Sequence, residues 1–463
     1  MLGFPQAMKL IHHVQSLLTG ILLCSLTDGV SAGFQIATFE TDVTPPIGHP
    51  LLASMCPPAK AIEARLWAKG VVLSGGEKPV VLVSVDWCEI RNDAYDRWRD
   101  VLADAAETTR ERVFLSAIHQ HDTPLADLTA QRILTGRGIT TNVINPRFHE
   151  RVVQQVALSI RRAKRHPITH IGTGQAKVER IASNRRYPGP DGKPRHDRGS
   201  ATRNVFAKEA PEGTIDPNAK ALSFWNGDQT VAVLYSYATH PMSFYRTGHV
   251  NPDFPGIARD RLQKDYPNAL QIYFSGAAGN VTAGKYNDGK PPTRTALAER
   301  LYEGLKSAWI ATTKTPIRDI AFRSAPLSFK PRETGGYSRS DLEKKLAGAK
   351  RARELSHAAM GLSWRDRAEK RKQPIDVPVV DFGPTAFVLL PGESYIEYQL
   401  YAQSVRPDDF VMVAAYGESA PGYIPLEMHW REKDSNLNSW CWVAEGSEKP
   451  FKEAIKKALI RTK

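Results

Sequence analysis

Pro79-Val80-Val81-Leu82-Val83-Ser84-Val85-Asp86 is a compact, β-branched apolar run that ends in a carboxylate. A half-buried strand would alternate apolar and polar residues. A run apolar at nearly every position reads instead as a strand buried on both faces. On its N-terminal side, Gly70-Val71-Val72-Leu73 reads the same way. On its C-terminal side, Tyr95 to Thr108 has helical spacing and Arg112 to Ile118 returns to strand. Strand, helix, strand in that order predicts an α/β protein: a layered mixed sheet with flanking helices, binding its ligand where strands end.

The same alternation extends outward along the 463 residues. Phe34 to Phe39 is strand-like and breaks at Thr41-Asp42-Val43-Thr44-Pro45-Pro46-Ile47-Gly48, where two prolines and a glycine force a turn. Arg151 to Lys164, Phe254 to Tyr266 and Leu297 to Trp309 read as helices; Thr230 to Ala238, Ala269 to Phe274, Val377 to Leu390 and Phe410 to Ala415 read as strands. Residues 332–373 are charged and helical, an insertion within one large catalytic domain spanning 33–463, and a basic helix closes the chain. No internal repeat is visible.

The hydrophobic share of 41% is that of a globular chain with a large core. The net charge of +13 favours anionic partners. The cations are nevertheless dispersed, and the densest stretch, Lys344 to Lys372, interleaves Glu354, Asp366 and Glu369 like a solvated helical face. With no finger or recognition-helix pattern, nucleic acid is set aside, whereas an anionic lipid or glycan surface stays open. Residues 1–32 have the layout of a secretory signal: Lys9, His12 and His13, then the apolar run Val14 to Leu26, then Val30-Ser31-Ala32. That run is too short to span a membrane, so a secreted or periplasmic protein is expected. Cys56, Cys88 and Cys441 then remain, enough for at most one bridge.

The chemistry concentrates at strand ends. Ser116-Ala117-Ile118-His119-Gln120-His121-Asp122 leaves a strand with two histidines two apart, which on an extended chain face the same side. A second strand runs into Thr239-His240-Pro241, and a third breaks at Pro391-Gly392 and presents Glu393. Each alone has a plainer reading: a surface pair, a core histidine, a helix-start carboxylate. Together, two imidazoles and a carboxylate from distant segments are a familiar set for catalytic zinc, which keeps one position open for water.

These segments resemble, in order, those of the neutral/alkaline ceramidase family. Asp42 to Gly48 is similar to its D-x-T-P-P-x-G opening, His119-Gln120-His121 to its H-T-H segment, and Tyr237 to Ser243 to its second histidine segment. Phe274 to Thr282 is similar to its serine segment, Pro391-Gly392-Glu393 to its P-G-E, and Gly422-Tyr423 to its G-Y loop. The resemblance implies one Zn2+ held by His119, His240, Glu393 and Tyr423, with His121 and Arg185 acting on substrate. The family's serine falls at Gly276 here, with Ser275 one position away, and a chain lacking the family's C-terminal immunoglobulin-like domain is expected. A secreted zinc hydrolase for an N-acyl-sphingosine-like amide is the function the resemblance implies. The alternatives are the same scaffold acting on a glycoside or ester of an acidic glycan or lipid, an amidohydrolase barrel, and a non-enzymatic binder of anionic surfaces.

Overall fold

The structure, a computed structural model, describes residues 33–461; the expected export signal at 1–32 lies outside them. Three sheets carry one topology three times over. In the first, β1 (Gln35–Asp42), β2 (Trp67–Ser74) and β3 (Val80–Val85) form an antiparallel meander, and helix α1 (Asn92–Ala105) crosses over to β4 (Val113–Ala117), parallel to β3. The chain leaves through α2 (Pro146–Arg162) to a short edge strand, Arg165–Pro167, beside β1.

The second module repeats this with β5 (His170–Lys177), β6 (Asn218–Asn226), β7 (Gln229–Tyr237), the crossover helix α3 (Asp253–Asp265) and β8 (Leu270–Ser275). It too leaves through a helix, α4 (Pro291–Ile310), to an edge strand, Thr313–Pro316, beside β5. The third begins with β9 (Ala321–Leu327), inserts α5 (Arg339–Gly348) and α6 (Ala352–Arg365), and continues with β10 (Ile375–Asp381) and β11 (Thr385–Leu389). Helix α7 (Ile396–Val405) then crosses to β12 (Phe410–Ala414), parallel to β11, and α8 (Glu448–Leu459) is the exit helix. The mixed α/β layering expected from the sequence is borne out, and an eight-stranded parallel barrel is not what the chain forms. The repeat that the sequence hides is topological.

The parallel pairs are the buried part of each sheet, as parallel strands usually are. Their last register partners are Val85↔Ala117, Tyr237↔Ser275 and Leu389↔Ala414. There the modules join: Ala117 N–H donates to the Tyr416 carbonyl at 3.0 Å and Ala415 N–H to the Ser275 carbonyl at 2.8 Å. Ser84 Oγ donates to the Tyr273 carbonyl at 2.6 Å, and Ser236 Oγ to that of Val413. Phe387 of the third module meets Phe274 of the second edge to face at 5.1 Å and Phe114 of the first in a tilted contact at 6.0 Å, and the edge-to-face geometry adds to the burial of the rings themselves.

Local chemistry explains where elements begin. Helix α2 starts at Pro146, five residues before the expected Arg151, because Asn145 accepts from the backbone N–H groups of Arg147 and Phe148 at 3.0 and 3.1 Å and proline suits the first helical position. The single strand expected over Val377 to Leu390 is two, β10 and β11, folded back at Gly383, whose φ of +84° a side chain would resist. The helical insertion is not the solvated face its charges suggest. Ala358, Ala359 and Met360 of α6 are fully buried, and the nearby cations find carboxylates: Arg367 lies 2.9 Å from Asp96 and 3.2 Å from Glu418. Cys56, Cys88 and Cys441 are buried and unpaired. Among the described residues no helix is long and apolar enough to cross a membrane.

Burial raises the Glu418 pKa from 4.5 to about 7 against the opposing pull of Arg367. The folded protein therefore keeps a proton that the unfolded chain releases above pH 4.5. This contribution to stability is complete at low pH and is lost as pH rises through 7. Glu418→Gln is expected to flatten that descent in Tm, measured calorimetrically from about pH 4.5 to 8; an unchanged slope would show that Glu418 is already ionised.

Candidate metal centre and active-site cavity

His119 stands two residues beyond β4 with φ +79°, a left-handed backbone rare for anything but glycine. It is held there by its N–H on the Trp87 carbonyl at 2.9 Å and by Tyr416, stacked on its ring at 4.5 Å. Its Nδ1 lies 3.0 Å from the Cys88 carbonyl, which fixes the N–H on that nitrogen and leaves Nε2 with a lone pair. Nε2 faces Glu393 Oε2 at 3.3 Å. His240, three residues beyond β7, brings Nδ1 to 3.8 Å from the same oxygen. All three side chains are buried, and their donor atoms lie within 4.8 Å of one another.

An imidazole lone pair and a carboxylate oxygen at that distance repel unless a positive charge lies between them. Glu393 Oε2 and His240 Nδ1 are, moreover, buried with no hydrogen-bond partner, and such groups are costly to leave unmatched. Metal–ligand bonds of about 2.0–2.1 Å in a tetrahedron place ligand atoms roughly 3.3 Å apart. The residues therefore fit a small divalent cation. Burial opposes charge on His119, but Glu393, then Glu89 and the Cys88 carbonyl, raise its pKa above the usual value, so proton and metal compete for the same place.

Tyr423 is the register partner of Glu393 in a two-residue parallel pairing and lines the same cavity. Its hydroxyl accepts from Arg185 Nη1 at 2.7 Å, and the guanidinium also overlies the ring at 5.1 Å. His121 reaches the cavity too: its Nε2 is 3.3 Å from His240 Nε2, and its ring sits edge-on to His119 and Tyr245. Burial, then His119, Arg185 and Arg246, hold its pKa well below the histidine range, so the imidazole is neutral. The expected convergence of His119 and His121 is present, although the period-two strand geometry behind it is not, since β4 ends at Ala117.

Ser275 and Gly276 are not on the cavity wall. Ser275 Oγ donates to the Ile118 carbonyl at 2.8 Å, bracing the turn that presents His119. A Cβ on Gly276 would come within 2.6 Å of Gln399 Oε1, so a side chain at this position collides with its neighbours. The loop after it acts as a frame. Arg185 N–H donates to the Asn280 carbonyl at 2.7 Å, His240 N–H to that of Val281 at 2.9 Å, and Gly279 N–H to that of Ser394 at 3.0 Å.

The cavity has a volume of about 140 Å³ and opens to solvent. Besides the residues above, it is lined by Glu89, Arg246, Arg353, His357 and Trp440, none of which is expected from the sequence. Glu89 carries a usable signal: it stands four residues beyond β3, as Glu393 stands four beyond β11. Its carboxylate accepts from Arg91 at 2.6 Å and from Trp440 Nε1 at 2.9 Å.

Residues 34–285 match the family model described as neutral/alkaline non-lysosomal ceramidase, N-terminal. The chain belongs to that family. Two solved structures share the fold of this ceramidase-family chain at 14% identity: a neutral ceramidase from Pseudomonas aeruginosa, TM-score 0.67, covering 92% of this chain and 74% of that one, and a ceramidase complexed with C2, TM-score 0.68, covering 92% and 75%. No curated protein matches the chain. Family membership makes it a ceramidase-like hydrolase.

For this ceramidase-like chain, His119→Ala is expected to abolish stoichiometric metal binding. A Cβ on Gly279 would lie 2.2 Å from the Glu393 carbonyl, so Gly279→Ala should displace that ligand and weaken metal binding on the order of 10–100-fold. In the unaltered protein, affinity should fall as pH drops through the raised His119 pKa, because the proton displaces the ion. Competition with a chromophoric chelator measures all three; undiminished affinity in both variants would place the metal elsewhere.

Proposed function

We propose that the protein is a secreted, zinc-dependent amidohydrolase that cleaves an N-acyl-sphingosine-like lipid into a fatty acid and an amine. The observation that carries this reading is the buried meeting of His119, His240 and Glu393 at the wall of a cavity, in a chain of the ceramidase family. His119, His240, Glu393 and Tyr423 are the residues that would hold the ion. When bound, zinc supplies Lewis-acid polarisation of a carbonyl and acidifies water.

The chain's own residues account for the rest. His121 is half-buried and neutral, with Nδ1 buried and unpartnered, so it can take the proton that attacking water loses and return it to the leaving nitrogen. Arg185 is always charged and is held on the Tyr423 hydroxyl at 2.7 Å. It is the preorganised donor for the oxygen that becomes negative in the tetrahedral species, a role typically worth ~2.7–4 kcal/mol. Glu89 approaches His119 Nδ1 at 3.8 Å beneath the Cys88 carbonyl and steadies that ring. Neither Ser275 nor Gly276 has a part in bond making. Export rests on the layout of residues 1–32.

Chelation should abolish hydrolysis of an N-acyl-sphingosine and added zinc should restore it. His121→Ala should keep one metal per chain yet lose roughly 10²–10⁴-fold in kcat. A panel of amide, ester and glycoside substrates, with and without chelator, checks the bond type; chelator-resistant cleavage would sink the proposal.

A further inference from the structure

Among the described residues, two guanidinium groups at the cavity, those of Arg246 and Arg353, have no carboxylate counter-ion. Arg246 lies in the loop after His240. Asp122 ties this loop down through backbone N–H groups, of Arg246 at 3.1 Å and Thr247 at 3.2 Å, and through the Thr247 hydroxyl at 2.6 Å. Both Asp122 oxygens are thereby committed. The Arg246 side chain overlies Tyr245 at 5.0 Å and, among the described residues, has no carboxylate within salt-bridge reach. Arg353 stands in the first turn of α6, where a cation opposes the positive end of the helix dipole. Its neighbour Glu354 is engaged by Arg351 instead. Both arginines are exposed yet line the same cavity as the imidazoles. The carboxylates on that wall are Glu89, already paired with Arg91, and Glu393.

Resting on the hydrolase reading above, but with a charged amine half preferred over the neutral sphingosine-like one, we infer that the best substrate is an N-acyl amine whose amine half carries an anionic group, a carboxylate, sulfonate or phosphate, gripped by Arg246 and Arg353. The side of the scissile bond is set by His121. The group that protonates the leaving nitrogen faces the amine half, and His121 packs edge-on against Tyr245 at 4.9 Å, beside Arg246. The cavity volume of about 140 Å³ is smaller than the roughly 300–1,000 Å³ of sites that engulf a whole ligand. It takes the reacting amide, leaving the charged end at the arginines. Water and the amide give a fatty acid and an anionic amine such as an amino acid. Guanidinium is the side chain best shaped to hold such groups through paired hydrogen bonds.

The test compares N-dodecanoylglycine, N-dodecanoyltaurine and N-dodecanoylethanolamine phosphate with neutral N-dodecanoylethanolamine and N-dodecanoylsphingosine on the zinc-loaded full chain. An anionic substrate should exceed the neutral ones in kcat/KM by about tenfold or more. Arg246→Ala and Arg353→Ala should each reduce that ratio about tenfold, through KM rather than kcat. The preferred anion among the three names the headgroup. Calorimetric binding of the same amphiphiles separates the two readings. Charge-selective binding that both variants lose, without hydrolysis, upholds the arginine grip and removes the hydrolase. Hydrolysis with no preference for charge, or a preference the variants keep, overturns the grip and leaves the hydrolase standing.

Discussion

A carboxylate oxygen sealed in the interior with no donor of its own is the constraint around which this protein is arranged. Glu393 Oε2 faces His119 Nε2 at 3.3 Å and His240 Nδ1 at 3.8 Å. Removing an ionised carboxylate from water costs several kcal/mol even after relaxation. Among the described residues no donor bonds this oxygen, and the imidazoles facing it repel it when they are unprotonated. Either a proton or a cation has to stand there. The surrounding backbone holds the three groups in place through hydrogen bonds from outside the site: Trp87 behind His119, Val281 behind His240, and the 276–282 loop against the Glu393 segment.

The threefold topology explains why such a site forms at all. Each module ends its parallel pair at the junction of the other two. Residues just past those ends fall together without having to be close in sequence. The equivalence reaches to detail: His119 and Tyr416 each lie two residues beyond a fourth strand, both with positive φ, and stack on one another. The connection between first and second strands is the variable part of each module. It supplies Leu52 and Met55 in the first, Arg185 in the second and Arg353 with His357 in the third. One fold thus separates a shared way of presenting ligands from loops that shape what they meet.

Much of this can be read from residues alone, and the failures have physical causes. Runs such as Val80 to Val85 declare a doubly buried strand, and a histidine or carboxylate directly after such a run is conspicuous. The topological repeat is invisible because it lives in hydrogen-bond order rather than side-chain identity. β5 and β6 are hard to read because His170, Lys177 and Lys220 dilute their apolar character. The charged look of residues 332–373 conceals a buried helix, since its cations are matched by carboxylates remote in sequence, Asp96 and Glu418 among them. Tyr423 and Arg185 carry no local signal; family resemblance alone singles them out. Glu89 obeys the rule that finds Glu393 and escapes notice because Asp86 and Trp87 intervene.

His119 comes from the first module, His240 from the second and Glu393 from the third. An ion at that junction would work as a keystone, its coordination sphere closing only when all three have docked. No fragment spanning two modules contains the full set. Assembly of the junction and competence to hold the cation thereby become a single event in the life of the chain.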